Sequence, residues 1–365
     1  MANDRYNTIL KIVGVFCALY LFLVGIKGLS MGIKYLGEDF AKTVLTTTSN
    51  PFIGLFIGIL ATTLFQSSST TTSLIVGMVS GGALTISGAV PMIMGANIGT
   101  TVTNTVVSIG YVNRDNEFRR AFSAATVHDF FNLLAVIILF PLEIAFGIIE
   151  KSAMGLGKLL FGTISSDEVF NSPIKKAIKW GAKQIESISF DSNTILIILS
   201  VLLTFGMLFV IVKLLRSLVL IRVEQFFDKY IFTTPFRAVI FGFLLTILVQ
   251  SSSITTSTVI PLAGAGVLTL RQIYPFTLGA NMGTTVTALL ASLTLNVTAL
   301  VAAFSHLFFN MLGILIIYLN PLLRDVPLKL AGWIASVALK NKVLPIIYLL
   351  IIFYGIPLII IFLGS

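Results

Sequence analysis

The feature that most constrains this chain is an internal repeat. Displaced by 184 residues, the sequence aligns with itself without a gap over three landmarks. Pro51-Phe52 falls on Pro235-Phe236, and Gln66-Ser67-Ser68-Ser69 falls on Gln250-Ser251-Ser252-Ser253. Gly95-Ala96-Asn97-Ile98-Gly99-Thr100-Thr101-Val102-Thr103 falls on Gly279-Ala280-Asn281-Met282-Gly283-Thr284-Thr285-Val286-Thr287. About 25 of the 53 positions from Pro51 to Thr103 are identical. Shared hydrophobicity alone would not put polar residues and glycines in register. After a six-residue slip the match resumes, with His128, Phe131 and Asn132 on His306, Phe309 and Asn310. The chain must therefore fold as two related halves.

Composition decides the medium in which those halves fold. The 365 residues are 56% hydrophobic and 11% charged, with mean hydropathy +1.00. Soluble domains carry about 25% charged residues, so a water-soluble globule is excluded, and so is disorder, which needs the opposite balance. The long apolar runs read as membrane helices; the alternating ten-residue segments of a barrel are absent. The fold class expected is an all-α polytopic membrane protein. A net charge of +9 does not indicate nucleic acid, because the basic residues are scattered through connecting segments and no nucleic-acid-binding motif appears. Cys17 is the single cysteine, which excludes an intrachain disulfide and a cysteine metal site. The first apolar run, Thr8 to Ile26, lacks a small-residue cleavage signal after it and is expected to be a retained helix.

Each repeat carries the same parts. A long apolar helix comes first, near 8–35 and 193–220. Next, from the proline to the glutamine, is an apolar stretch of only about 22 Å of helix, short of the roughly 30 Å hydrocarbon core. A Ser/Thr cluster and a second short apolar stretch follow, ending at Gly81-Gly82 and at Gly264 and Gly266. This pattern predicts a re-entrant hairpin. A segment broken by Gly-Ala-Asn-x-Gly comes after it, then a helix carrying His and Asn. The hairpin does not cross, so each repeat crosses three times and the second must be inverted relative to the first. Inverted repeats with broken helices are the build of many secondary transporters. The run Leu344 to Leu363 adds a seventh crossing. The expected organisation is a first repeat over 1–150, an inter-repeat external or interfacial segment over 151–192, a second repeat over 193–320, and a C-terminal loop and transmembrane helix over 321–365.

Lys/Arg asymmetry sets the expected orientation. One side collects Arg5, Lys11, Arg114, Arg119, Arg120, Lys213, Arg216, Arg222, Lys229, Arg237, Arg271, Arg324, Lys329, Lys340 and Lys342. The other short segments carry Lys27, Lys34 and Lys42. The N-terminus is then cytoplasmic and the C-terminus external. The inter-repeat stretch Pro173 to Trp180 reads as an interfacial amphipathic helix.

The polar clusters carry the chemistry. Two Gln-Ser-Ser-Ser tips on non-spanning hairpins offer hydroxyls, an amide and free N–H groups where a small oxyanion could bind. Ser67, Ser68, Ser69, Ser251, Ser252 and Ser253 are the candidate anion ligands. The alternative, close helix packing and interhelical hydrogen bonding, explains one such cluster more easily than two at equivalent positions. At the Gly-Ala-Asn-x-Gly-Thr-Thr segments, unwound carbonyls with Asn and Thr oxygens would make a hard-cation cage. The competing reading there is a GxxxG contact face, since Gly95 and Gly99 have that spacing. Gln66, Asn97 and Thr100, and in the other half Gln250, Asn281 and Thr284, are the candidate cation sets, each pairing a hairpin with the helix of its own repeat. No Lys or Arg lies between Lys42 and Arg114, between Arg237 and Arg271, or between Arg271 and Arg324. A multiply charged anion there needs compensation, and helix ends supply only about half a charge each. Dissolved cations must accompany it, so the pattern points to cation-coupled anion transport.

Asp129 sits in the otherwise apolar run Ala121–Phe140, where a carboxylate is penalised by roughly 2.5–3.5 kcal/mol on insertion scales. Asn132 lies three residues on, on the same helical face. The second repeat has Leu307 at this position, so Asp129 is not demanded by the shared fold. Asp129, with Asn132, is expected to be an extra cation ligand in one repeat; a structurally neutralised carboxyl is the alternative. His128 and His306 read more readily as hydrogen-bonded packing residues.

The paired Gln-Ser-Ser-Ser, the Gly-Ala-Asn-Ile-Gly-Thr segment, and Glu117-Phe118-Arg119-Arg120-Ala121-Phe122 running into Thr126-Val127-His128-Asp129-Phe130-Phe131-Asn132 resemble the type II sodium-dependent phosphate cotransporters. The resemblance covers about residues 50 to 320. It implies inorganic phosphate as substrate, sodium as driving ion, and the Gln-Ser-Ser-Ser motifs as the binding core. It also implies that an Asp at the position of Asp129 goes with electrogenic transport of divalent phosphate. The chain departs from the family in its short inter-repeat segment, which has no large cysteine-bearing loop. The expectation is a sodium symporter of inorganic phosphate working by alternating access in the plasma (inner) membrane. Sodium is expected as the sole metal and as cotransported ion, with no organic cofactor and no nucleic-acid partner. The lipid bilayer is its medium, and an oligomer is compatible with the sequence. A sodium-coupled carrier of sulfate or a dicarboxylate, or a passive anion channel, stays open on residue chemistry alone. An enzyme is not expected, since no nucleophile triad, metal cluster or phosphate-cradling loop is present.

Overall fold

The computed structural model of the protein describes residues 2–162, 173–190, 192–223 and 231–364. Residues 163–172 of the expected inter-repeat segment and Lys229 lie outside the described residues, as do the side chains of Arg5 and Arg222. Every regular element among the described residues is helical, and the chain is an all-α polytopic membrane protein.

Five helices are long and apolar enough to cross a membrane: Tyr6–Tyr35, Asp115–Phe146, Asn193–Leu218, Val297–Tyr318 and Leu344–Gly364. In chain order, α1 is Ala2–Tyr35, α2 Gly37–Thr48, α3 Pro51–Phe65, α4 Ser68–Gly81, α5 Ile86–Gly99, α6 Val102–Ile109 and α7 Asp115–Phe146. They are followed by α8 Ile148–Phe161, α9 Pro173–Ile188, α10 Asn193–Val223, α11 Pro235–Val249, α12 Ser252–Ser257, α13 Val259–Gly264, α14 Leu270–Ser292 and α15 Val297–Gly313. The chain ends with α16 Val326–Lys340, α17 Leu344–Leu350 and α18 Ile356–Gly364. The π-turn between the last two, Ile351–Gly355, precedes Pro357, whose missing N–H cannot complete the α-helical ladder.

Both short hairpins form. Asn50 caps α3 by accepting from the Phe52 N–H, and Thr234 caps α11 by accepting from Arg237 N–H. Each helix begins with a proline at its first turn, where the missing N–H costs nothing. The returning arms are α4 in one half and the kinked pair α12–α13 in the other, with Pro261 inside the latter.

The hairpin bases lie at opposite ends of α14. Asn296, just after that helix, donates to the Ser80 carbonyl at 3.4 Å. At its other end, Gly264 is separated from α14 only by the turn before Leu270. Its carbonyl accepts from Arg120 Nε and Nη2 at 2.8 and 2.5 Å. Gly264 and Ser80 are repeat-equivalent positions, so each base is held by a residue of the other half. The Arg120 end also gathers the ion pairs Arg271–Asp325 and Lys342–Asp115, at 3.1 and 3.2 Å.

Two expectations need correction. The second Gly-Ala-Asn-x-Gly segment does not break its helix: α14 runs unbroken through it, about 34 Å at 1.5 Å per residue. In the first half the break falls after the motif, at Thr100-Thr101 between α5 and α6. The reason is that the glycines serve contact rather than unwinding. A Cβ on Gly95 would strike the Leu55 carbonyl, and one on Gly279 the repeat-equivalent Val239 carbonyl. Gly58 and Gly242 meet the Met92 and Phe276 carbonyls in the same register. The close packing of α3 on α5 and of α11 on α14 thus depends on small residues, as in membrane helix pairs.

The second correction concerns the stretch expected as a C-terminal loop, which holds α16. Its Ala331, Ile334, Ala335 and Ala338 are buried against α7, and alanine is the best helix former. The stretch expected as an amphipathic helix does form one, α9, and its apolar face packs on the first helix. Gly181 packs on Val24 and Tyr20 of α1, and Tyr20 Oη donates to the Ala177 carbonyl at 3.0 Å. Its opposite face leaves Trp180 exposed. Burial lowers the Lys175 ammonium, which donates to the Leu295 carbonyl at 2.6 Å.

Candidate functional site

The two tips are built alike. Gln66 and Gln250 take the left-handed conformation, with φ of 50° and 56°, which costs a non-glycine residue about 1 kcal/mol or more. Each reverses the chain in one residue and hands it to an extended serine. Ser67 accepts from Thr70 N–H at 3.2 Å, and Ser251 accepts from Ile254 N–H at 3.3 Å. Ser68 and Ser69 begin α4, and Ser252 and Ser253 begin α12; all four are buried. Among the described residues, no hydrogen bond holds the hydroxyls of Ser68, Ser69 or Ser252, although their carbonyls accept from Thr72, Ser73 and Thr256. Those hydroxyls are free to donate to an anion.

The second tip is seated against both halves. Gln250 Oε1 accepts from Thr287 of its own α14 at 2.8 Å, and Ser253 Oγ donates to the Thr100 carbonyl at 3.4 Å. Asn104 Oδ1 accepts from Thr256 and Ser257 at 3.1 and 3.0 Å. The first tip is not seated in the same way. Gln66 is exposed, and Thr103, the repeat-equivalent of Thr287, has a buried hydroxyl without a partner. No hydrogen bond joins the two serine tips to each other among the described residues.

The candidate cation residues fall into two groups. Thr100 and Thr284 bond back to Ala96 and Ala280 carbonyls at 3.0 and 3.2 Å, where the expected cages would be. Asn97 and Asn281 do not meet Gln66 and Gln250. They join a buried amide and imidazole cluster that the sequence did not suggest. Asn132 Nδ2 donates to the Asn97 carbonyl at 2.9 Å, and Asn310 Nδ2 donates to the Asn281 carbonyl at 3.3 Å. These two bonds are repeat-equivalent. Asn281 Nδ2 donates to Asn132 Oδ1 and Asn310 Oδ1 at 2.8 and 3.1 Å. His306 Nε2 and Asn97 Oδ1 are 3.3 Å apart. His128, the equivalent of His306, lies beside Asn281, with neither ring nitrogen in a hydrogen bond of ordinary geometry. The cluster ties the halves together across their interface. The match of His128, Asn132, His306 and Asn310 in the sequence repeat was the signal that could have revealed it.

Asp129 lies near the α5–α6 break. It is 3% exposed. Tyr348 Oη donates to Oδ2 at 3.2 Å, and Thr101 stands beside the carboxyl. Oδ1 is buried without a partner. A further polar recess, a cleft of about 590 Å³, lies far from these groups at the base of the first hairpin, lined by Thr48, Thr85, Glu143, Glu150 and Lys151. Glu143 there caps α8, accepting from the N–H groups of Ile149 and Glu150 at 2.6 and 3.1 Å. Burial, and then the Glu143 carboxyl, raise Glu150 above the usual carboxylate range.

Comparison with known proteins places the chain. The family described as Na+/Pi-cotransporter matches residues 21–165 and 202–318. The chain is 33% identical to sodium-dependent phosphate transport protein 2B of Homo sapiens and of Pongo abelii, over 93% of this chain and 63% of each relative. It is 34% identical to sodium-dependent phosphate transport protein 2A of Rattus norvegicus, over 96% of this chain and 67% of the relative. The chain thus spans about 63% of the length of the 2B relatives. These alignments are longer than the chain itself, 437 and 426 residues, so the relatives carry residues that this chain lacks. No solved structure matches it.

Proposed function

The chain belongs to the Na+/Pi-cotransporter family, and from that premise we propose that it is a sodium-coupled symporter of inorganic phosphate, moving divalent phosphate by alternating access between its two repeats. The observation that carries this reading is the pair of Gln-Ser-Ser-Ser tips. Both reverse through a left-handed glutamine, and both end in buried serines with free hydroxyls. Phosphate suits such a site, since its oxygens accept several hydrogen bonds at once, and the family match favours it over other oxyanions. Ser67, Ser68, Ser69, Ser251, Ser252 and Ser253 are its proposed ligands. Sodium supplies the positive charge that no nearby Lys or Arg provides. The oxygens of Gln66, Thr100, Gln250 and Thr284, with Asn97, Asn132 and Asn281 at the repeat interface and Asp129 in the first half, are its proposed contacts.

The repeats are proposed to be inverted, as hairpin bases at opposite ends of α14 support. The Arg120 end is taken as cytoplasmic, with the C-terminus external, in the plasma membrane. The test is uptake of radiolabelled phosphate into proteoliposomes under imposed sodium, lithium or proton gradients, with sulfate and succinate as competitors. Uptake that follows sodium and yields to phosphate alone is expected. Uptake that follows sodium but prefers sulfate or succinate would assign a different oxyanion, and efflux without counterflow would indicate a channel.

A further inference from the structure

Two features of this molecule have no counterpart in the repeat, and they meet. One is Asp129, whose equivalent position holds Leu307. The other is the C-terminal helix α17, which follows both repeats and lies beyond the residues that the family description covers. The meeting point is the bond from Tyr348 Oη to Asp129 Oδ2.

The surroundings show what that bond does. A buried carboxylate has about four lone-pair directions to satisfy. Here one oxygen has the Tyr348 donor, and the other has none. Among the described residues, Thr101 and Tyr348 are the groups beside this carboxyl, and no Lys or Arg acts on it. Thr105, one turn after Thr101 on the same face, also carries a buried hydroxyl without a partner. Asp129 Oδ1 is thus a buried carboxylate oxygen left without a donor, and a dissolved cation is the group that would complete it. Tyr348 itself is held from the other side, edge-on to Phe353 at 5.9 Å, in a helix that packs against α6. Its hydroxyl is therefore placed by a helix outside both repeats, not by α7, which carries the carboxylate.

We propose that Tyr348 is a positioning residue for the cation taken by Asp129: by holding Oδ2 it turns Oδ1 toward Thr101, and so sets how tightly sodium binds in the first half. This rests on the reading of Asp129 as a cation ligand in a sodium symporter. The carboxylate supplies the charge and the tyrosine supplies its orientation. Removing the hydroxyl leaves the charge in place but lets the carboxyl rotate, so sodium binding weakens without being abolished.

The experiment measures binding of radiolabelled sodium directly on the purified full chain in detergent, so that it does not depend on transport. Tyr348→Phe should weaken sodium binding about ten- to fifteenfold, the worth of one hydrogen bond to a charged group at the lower end of its range. Half-saturation by phosphate at saturating sodium should move by less than about twofold in the same variant, a split that general loosening of the fold would not produce. In an Asp129→Asn background the tyrosine change should add nothing, since the cycle isolates the pair. Wild-type sodium affinity in Tyr348→Phe would overturn the proposal, as would an equal loss in the Asp129→Asn background. A wild-type protein that binds sodium but moves no phosphate would overturn the transport reading instead, and leave the tyrosine result to be judged by itself. A wild-type protein that binds no sodium would overturn both.

Discussion

At the scale of single residues, the serines and Asp129 make opposite demands on their surroundings. Ser68 and Ser252 are buried residues whose hydroxyls bond to no described residue, which leaves them free to donate to an anion. Ser68→Ala and Ser252→Ala should each weaken phosphate binding by roughly 1–3 kcal/mol, measured by calorimetry at saturating sodium; wild-type affinity in both would remove the tips from the binding site. Asp129 is proposed to govern charge. With divalent phosphate at −2 and the carboxylate at −1, a nearly neutral loaded site calls for about three sodium ions. Each cycle then carries about one net charge inward, to which a 100 mV potential adds about 2.3 kcal/mol. Asp129→Gly should leave about two sodium ions per phosphate, so tracer uptake should continue while the solid-supported-membrane current disappears. A variant that kept both would make the carboxyl structural. The chemistry of these residues was legible in the sequence because polarity is costly in an apolar run. Their partners were not: Tyr348 is 219 positions from Asp129, and no periodicity connects them.

At the scale of elements, the hairpins were readable because their arms are too short to span and their caps are local. Asn50, Pro51 and Thr234, Pro235 mark helix starts within a few residues. The Gly-Ala-Asn-x-Gly segments were harder, since glycine serves both unwinding and contact. Only the facing helix decides between them, and it lies about 40 positions earlier in the chain. With Gly95 against Leu55 and Gly279 against Val239, the glycines are spacers. Gly95→Val and Gly279→Val should each cost about 1–3 kcal/mol or more, read as a fall in the thermal midpoint in detergent. Gly332→Val, which has open space around it, should cost much less. Similar losses at all three positions would show helix propensity, not contact, to be at work. The stripe of Ala331, Ala335 and Ala338 in α16 was likewise visible as a pattern, but it declares itself a helix only once α7 is there to receive it.

At the scale of the whole molecule, the repeat predicts symmetry and the contacts break it. The base of the second hairpin is clasped by Arg120 through two charged donors, and that of the first by the neutral Asn296 through one longer bond. Hydrogen bonds from charged groups contribute about 1.5–3 kcal/mol and neutral ones about 1. Arg120→Gln should therefore speed backbone hydrogen exchange over 251–266 by more than Asn296→Asp, which keeps its capping oxygen for Ala299, speeds it over 67–82. Equal changes would mean that the two clasps weigh the same. The tips repeat the inequality: Gln250 is bonded to Thr287, and Gln66 is exposed. A device with two doors on unequal latches has a resting posture. In the proposed transport cycle it would wait between turnovers with the better-held door shut, so its two faces should present different waiting times to an arriving ion. In a sealed vesicle with identical solutions on both sides it produces no net flow, yet exchange measured from one face should half-saturate at a different concentration from exchange measured at the other.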